Sequence, residues 1–129
     1  ILNLAKNDPR ITVFGFVEDI RYYLAKAQIF VCPIIEGGGT KLKMLCALSM
    51  GKAIVATPMA CEGLEVIPEK HVLVASNPEE FVYQIKRLIN DERLRKYLEK
   101  ESRRLVEQKY SWQAIGNKLS ILYKRLKYA

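Results

Sequence analysis

Glu36, Gly37, Gly38, Gly39, Thr40, Lys41 and Lys43 bring an acid, three glycines, a hydroxyl and two cations into one short stretch. That mixture suits a phosphorylated ligand. The glycines remove Cβ atoms where a ligand has to approach the backbone closely. Thr40 can cap a helix, so that the unpaired N–H groups and positive dipole end of that helix face a phosphate. A full positive charge comes from Lys41 or Lys43. The two lie two positions apart and do not share a helix face, so one reaches the phosphates while the other is solvated. Glu36, beside the three glycines at a strand's carboxyl end, is expected to contact the ligand.

These residues need a strand before them and a helix behind them. Ile29, Phe30 and Val31 read as a short apolar strand that Pro33 stops. A helix from Thr40 carries Leu42, Leu45, Ala47 and Leu48 and ends at Gly51, and Ala53 to Ala56 resume an apolar strand. Such a unit, with parallel strands, places a ligand crevice at the carboxyl ends of the strands. The two commoner phosphate signatures are excluded. A dinucleotide fingerprint needs a glycine where Lys41 or Leu42 stands, and a P-loop ending at Gly51-Lys52 needs glycine at Cys46 and Ser or Thr at Ala53.

Elsewhere the chain alternates as an α/β domain does. Ile11 to Phe14 and His71 to Ala75 are expected strands, and Glu18 to Ala27 is an expected helix with Ile20, Tyr23, Leu24 and Ala27 on one face. Asn77-Pro78-Glu79-Glu80 offers an N-cap, a first-turn proline and a capping-box acid for a helix through Leu88. Asp91 caps the next, whose Leu94, Leu98 and Leu105 face inward, and Ser111 caps the last, where Trp112, Ile115, Leu119, Leu122 and Leu126 form a stripe. Trp112 and the nearby tyrosines are expected in the core, and the lone His71 is expected to be structural. The fold class is α/β: a Rossmann-like parallel sheet flanked by helices, with a helical C-terminal segment.

The glycine segment resembles the sugar-donor half of retaining glycosyltransferases of the GT-B, group 1 (family 4) type. One subgroup carries G-G-G-T-R-L-K-x-L-E-A-x-A-M-G-K-P-V-V. Gly37, Gly38, Gly39, Thr40, Leu42, Lys43, Leu45, Ala47, Met50, Gly51 and Lys52 match as they stand, with Lys41 for Arg. Further matches are Gly15-Phe16-Val17-Glu18-Asp19, Glu62-Gly63-Leu64, Asn77-Pro78-Glu79-Glu80-Phe81 and Tyr110-Ser111-Trp112. The resemblance implies half of a GT-B architecture and a nucleotide-diphosphate sugar as donor substrate. The setting it implies is bacterial cell-surface polysaccharide or glycoconjugate synthesis. It assigns catalytic parts to Glu36 and Lys43, and donor binding to Glu36, Gly37, Gly38, Gly39, Thr40, Lys41 and position 46. It implies no further cofactor and no metal.

One position departs from the pattern. The family's ribose-binding acid falls on Cys46 when counted from Gly51-Lys52, and on Met44 when counted eight residues forward from Glu36. Neither register holds a carboxylate. A hydrogen bond to a charged acceptor is worth ~1.5–3 kcal/mol, so its loss weakens donor binding by roughly ten- to a hundredfold.

With 129 residues the chain is one domain by size, able to form a core without disulfides. Ile1-Leu-Asn-Leu-Ala-Lys reads as the end of a helix without a cap, and the family's donor domain begins with further strands. Residues 1–129 are therefore expected to be one N-terminally truncated donor-binding domain, preceded in the whole enzyme by an acceptor domain. Cys32, Cys46 and Cys61 are odd in number and lack the spacing of a zinc site. Buried thiols in a reducing cytoplasm fit them. No apolar run approaches a membrane span.

The net charge of +7 is concentrated late: after Tyr110, Lys118, Lys124, Arg125 and Lys127 face no acid. The favoured reading is a solvated face; the alternative is attraction to an anionic membrane surface bearing a lipid-linked acceptor, or to nucleic acid. No helix-turn-helix or aromatic RNA motif supports nucleic acid. Beside the glycosyltransferase reading stands a non-catalytic nucleotide-sugar-binding subunit, which Cys46 favours.

Overall fold

Ala53, Ile54, Val55 and Ala56 are apolar at every position, the mark of a strand covered on both faces. In the structure, a computed structural model that describes residues 2–39 and 41–128, they form the central strand of a three-stranded parallel sheet and are fully buried. Ile29–Cys32 (β1) and Leu73–Val74 (β3) flank Ala53–Ala56 (β2), with Ile29 opposite Ala53, Cys32 opposite Ala56, and Val55 opposite Leu73.

Alternation along β2 divides the core. Ile54 and Ala56 face one side, with Cys32 and with Met44, Ala47 and Leu48 of the helix Leu42–Ser49. Ala53 and Val55 face the other, with Leu73, with Leu88 of the helix Pro78–Asn90 and with Leu98 of the helix Glu92–Lys109. A fully buried leucine of this kind contributes roughly 1.5–3 kcal/mol. In chain order the helices are α1 (Leu2–Asn7), α2 (Ile20–Lys26), α3 (Leu42–Ser49), α4 (Pro58–Cys61), α5 (Pro78–Asn90), α6 (Glu92–Lys109) and α7 (Trp112–Lys127). This is the expected α/β fold with helices on both faces.

Caps are where the sequence places them. The side chains of Asn77, Asp91 and Ser111 accept from the N–H groups of Glu80 (2.9 Å), Leu94 (2.9 Å) and Ala114 (3.1 Å). Each is worth ~1 kcal/mol. Glu80 reaches the Ser76 N–H at 2.6 Å, one residue before the cap. Asp19 caps α2 through Arg21 N–H.

Three expectations fail. Residues 11–14 form no strand: a strand requires a ladder partner, and among the described residues none pairs with them, leaving Phe14 56% exposed. The strand expected over His71 to Ala75 shrinks to Leu73–Val74, because Val72 bridges Pro68 instead of β2. The α7 stripe is not core. Trp112 is 88% exposed, and no α7 residue is buried, because α6 uses its apolar residues Leu98 and Leu105 toward the body.

Candidate functional site

The three strands run parallel, so their carboxyl ends open on one edge. Three loops meet there: residues 33–39 after β1, Thr57 after β2, and Ala75-Ser76-Asn77 after β3. Hydrogen bonding continues just past the strands, from Thr57 N–H to Cys32 O (3.2 Å) and from Ala75 N–H to Ala56 O (3.0 Å), which holds the loop roots side by side.

Thr57 anchors this edge. Its buried hydroxyl donates to the Ile34 carbonyl and accepts from Ala60 N–H at 3.2 Å, capping α4. One side chain therefore fixes both the root of the glycine loop and the start of α4. Around it lie two clefts. One, of about 290 Å³, is lined by Ile34, Ile35, Thr57, Pro58, Met59, Glu62 and Ser76. The other, of about 360 Å³, is more apolar, with Val31, Pro33, Ile35, Phe81 and Ile85 beside Thr57, Ser76 and Asn77. No motif marks Thr57 in the sequence; the signal available was its place immediately after an all-apolar strand and before Pro58.

The glycines of the loop after β1 are exposed and line neither cleft. Gly37 (φ +121°) and Gly39 (φ +88°) occupy the left-handed region, which disfavours any side chain. Gly38 does not, and a Cβ there meets nothing within 4 Å. Lys41 folds back, its Nζ donating to Gly37 O at 3.2 Å, and closes the loop into a ring of short span. It also occupies the N-cap position of α3 without a side-chain cap hydrogen bond. The helix thus begins one residue later than expected. Thr40, the expected cap, lies outside the described residues. The N–H groups of Leu42, Lys43 and Met44, which open α3, have no acceptor among the described residues, as helix starts leave them.

Lys43 is exposed and has no ion-pair partner among the described residues. Its charge is felt at the end of β1: burial pushes the Cys32 thiol up, and Lys43 and Lys41 partly offset that rise. Glu36 is exposed in the same loop. The structure brings together Glu36, Gly37, Gly38, Gly39, Lys41 and Lys43.

Cys46 lies one turn further along α3. It is half-buried and packs against the core cluster of Cys32, Met44 and Leu48. Met44 is fully buried, so of the two positions considered for an acid only Cys46 has any exposed surface. All three cysteines are free. His71 is buried at the opposite end of β3, its Nδ1 accepting from Ile67 N–H at 2.9 Å. Among the described residues, no three His, Cys, Asp or Glu side chains gather as a metal site, and no helix is long and apolar enough to cross a membrane.

A family model described as glycosyl transferases group 1 matches residues 1–91. The chain belongs to the group 1 glycosyl transferases. The match ends at the α5–α6 junction, so Tyr110-Ser111-Trp112 lies beyond it. An uncharacterized glycosyltransferase of Methanocaldococcus jannaschii is 29% identical over 104 residues, which are 78% of this chain and 26% of that protein. Two solved structures share the fold. The C-terminal domain of a group 1 family glycosyl transferase from Francisella tularensis aligns with a TM-score of 0.75 and 22% identity, over 86% of this chain and 59% of its own. Sucrose-phosphate synthase from Thermosynechococcus elongatus aligns with a TM-score of 0.79 and 23% identity, over 98% of this chain and 33% of its own. This group 1 glycosyl transferase chain thus spans a minor part of the curated relative. The family match includes the whole glycine loop, α3 and both clefts.

Proposed function

We propose that this chain is the donor-binding part of a retaining glycosyltransferase and holds a nucleotide-diphosphate sugar at the carboxyl ends of β1–β3. The carrying observation is the succession of a glycine loop, the start of α3, without a side-chain cap among the described residues, and two lysines where the loop meets that helix in a group 1 chain.

The division of labour follows from the contacts. Lys41 is engaged with Gly37 O and shapes the loop, whereas Lys43 reaches outward and meets the diphosphate. During transfer the bond from the anomeric carbon to the diphosphate oxygen breaks and the acceptor oxygen takes the sugar. Negative charge then builds on the leaving diphosphate, where Lys43 and the α3 N–H groups stabilise it more than in the ground state. Glu36 accepts hydrogen bonds from the sugar hydroxyls. The acceptor site belongs to a further domain of the whole protein, and cytoplasmic synthesis of cell-surface glycans is the setting this reading implies. A second reading, a subunit that binds the donor without transferring it, has the half-buried Cys46 in its favour.

Calorimetric titration with uridine, guanosine and adenosine diphosphates and their sugars tests the proposal. One nucleotide diphosphate should bind and should shift the amide resonances of Gly37 to Lys43. Lys43→Gln should weaken it roughly ten- to a hundredfold, the worth of a charge-assisted hydrogen bond. Binding that leaves those amides still, or that Lys43→Gln does not alter, would sink the assignment.

A further inference from the structure

A cleft of about 300 Å³ at the other end of β3 is walled by this chain alone, by residues 65–71, which lead into the strand, and by α6. His71, 5% exposed, stands in its wall. Burial holds the imidazole below its ordinary value, so at pH 7.5 the ring is neutral and carries one hydrogen. Because Nδ1 accepts from Ile67 N–H, that hydrogen is on Nε2. Nε2–H has no acceptor among the described residues, and no fully enclosed side-chain nitrogen or oxygen among them lacks a partner, so this N–H opens on the cleft. Glu101 of α6 is its counterpart. Its side chain is 13% exposed, and the nearest cations, Arg104 and Lys70, stand at 3.8 and 4.0 Å, beyond hydrogen-bond distance. The carboxylate therefore keeps acceptor positions open toward the same cleft.

We propose that this cleft binds an uncharged sugar ring through its hydroxyls. A hydroxyl accepts from the His71 Nε2–H and donates to the Glu101 carboxylate at once, and its neighbour on the ring donates to the second carboxylate oxygen. Leu105 and Ile67 offer apolar surface to the C–H face of the ring. The volume stands at the lower limit of small-molecule sites and far above the ~30 Å³ share of a single water, so it takes one ring. Charge argues against other occupants. Lys109 is paired with Glu65, and Lys70 and Arg104 both face Glu101. An anion would meet two carboxylates here, and a metal ion three basic side chains. The inference is independent of the donor-site reading, because His71 precedes β3 and the glycine loop follows the carboxyl end of β1.

His71 is the chain's one histidine, so its imidazole resonances report the cleft directly. Glucose, galactose, mannose and N-acetylglucosamine are titrated into the isotope-labelled chain at about pH 7.5, above the ordinary histidine value. At least one should shift the His71 Nε2 resonance saturably while the amides of Gly37 to Lys43 stay still. Tetrahydropyran, a comparable ring without hydroxyls, and inorganic phosphate should leave Nε2 unmoved. Glu101→Gln should weaken the sugar roughly ten- to a hundredfold, the worth of a hydrogen bond to a charged acceptor. The comparison of ligands on the parent chain stands even if that variant folds poorly. No saturable Nε2 shift with any of these sugars, an equal shift with tetrahydropyran, a shift with phosphate alone, or undiminished binding by folded Glu101→Gln would each overturn the proposal.

Discussion

A Cβ placed on Gly51 would stand 3.3 Å from the carbonyl oxygen of Glu99, so the turn that ends α3 is pressed against the backbone of α6. The turn itself is closed by Gly51 N–H to Leu48 O (3.0 Å) and Lys52 N–H to Ala47 O (3.1 Å), and Gly51 sits at φ +61°. Arg103 of α6 donates to Ser49 O beside it. Helix α3, which carries the lysine side of the candidate site, is thus fixed at its far end by α6. Gly51→Ala should destabilise by about 1–3 kcal/mol, from the left-handed conformation and the crowding together. Urea unfolding should show the midpoint falling with the slope unchanged.

Gly38 gives the opposite expectation. It lacks the positive φ of its neighbours, and a methyl group there meets open space. Gly38→Ala should leave stability within roughly 0.5 kcal/mol of the parent. If the loop cradles a diphosphate, the added methyl should still weaken nucleotide binding, because it occupies space the ligand needs. Thermal melts and calorimetry on the same variant separate the two. Unchanged stability with unchanged affinity would mean that the loop does not touch the ligand.

How much of this was legible in the sequence follows from the range of each signal. Local signals carried through: Asn77, Asp91 and Ser111 cap the helices they precede, and the all-apolar Ala53–Ala56 is the central strand. Ile11 to Phe14 alternates like a strand, but strand formation depends on a ladder partner that no local pattern guarantees. The α7 stripe shows the same limit, since periodicity reveals a helix with an apolar face and leaves open what covers it. At the site, Glu36, the glycines and the lysines stood out by type and spacing. Thr57 did not, because its role comes from Ile34, 23 residues earlier in the chain.

That bond makes Thr57 a sensitive test of the loop root. Thr57→Val keeps the shape and removes both the donation to Ile34 O and the acceptor for Ala60 N–H. The partly buried Ile34 carbonyl loses its partner, at about 1–3 kcal/mol where water does not replace it, whereas Ala60 N–H keeps the Thr57 carbonyl at 3.1 Å. Stability should fall within that range, and amide exchange should accelerate first at Ala60 and in the loop after Cys32. Acceleration spread evenly over the domain would mean that Thr57 supports the core in general and the loop only incidentally.

His71 makes stability depend on pH. Burial holds its imidazole below the ordinary value of 6.5, with Lys70 and Lys109 adding to the effect and Glu101 opposing it. Its Nδ1 also accepts from Ile67 N–H, which a protonated ring does not do. The unfolded chain therefore binds this proton more readily than the folded one. The contribution is whole above about pH 6.5 and is lost as pH falls below it toward the folded value, with a slope of at most ~1.4 kcal/mol per pH unit. Unfolding free energies between pH 7.5 and pH 5, about where carboxylates begin to titrate, should decline in the parent and stay level in His71→Gln. As the chain's one histidine, His71 can also be titrated by NMR without ambiguity.

Cys46 tests the ribose contact. It stands where the resemblance expects an acid, and unlike the fully buried Met44 it keeps part of its surface open. Cys46→Glu should place a carboxylate on the α3 face shared with Leu42 and Met50, close enough to α2 for Arg21 to sense the position, although that guanidinium is already paired with Asp19 at 2.8 Å. If the nucleotide lies along α3 from the glycine loop, the new acceptor should raise affinity by roughly tenfold, about 1.4 kcal/mol. The gain should vanish with a 2′,3′-dideoxyribose nucleotide, which offers no hydroxyls. Packing works against the change, because Cys46 rests on the core cluster and a larger, charged side chain has to turn outward to stay solvated. A modest loss of stability together with a hydroxyl-dependent gain in affinity is the expected pair of results. An equal gain with both nucleotides would mean that the carboxylate acts elsewhere than on the ribose. A loss with both would leave Cys46 as a packing thiol and favour a chain that holds its donor without that contact.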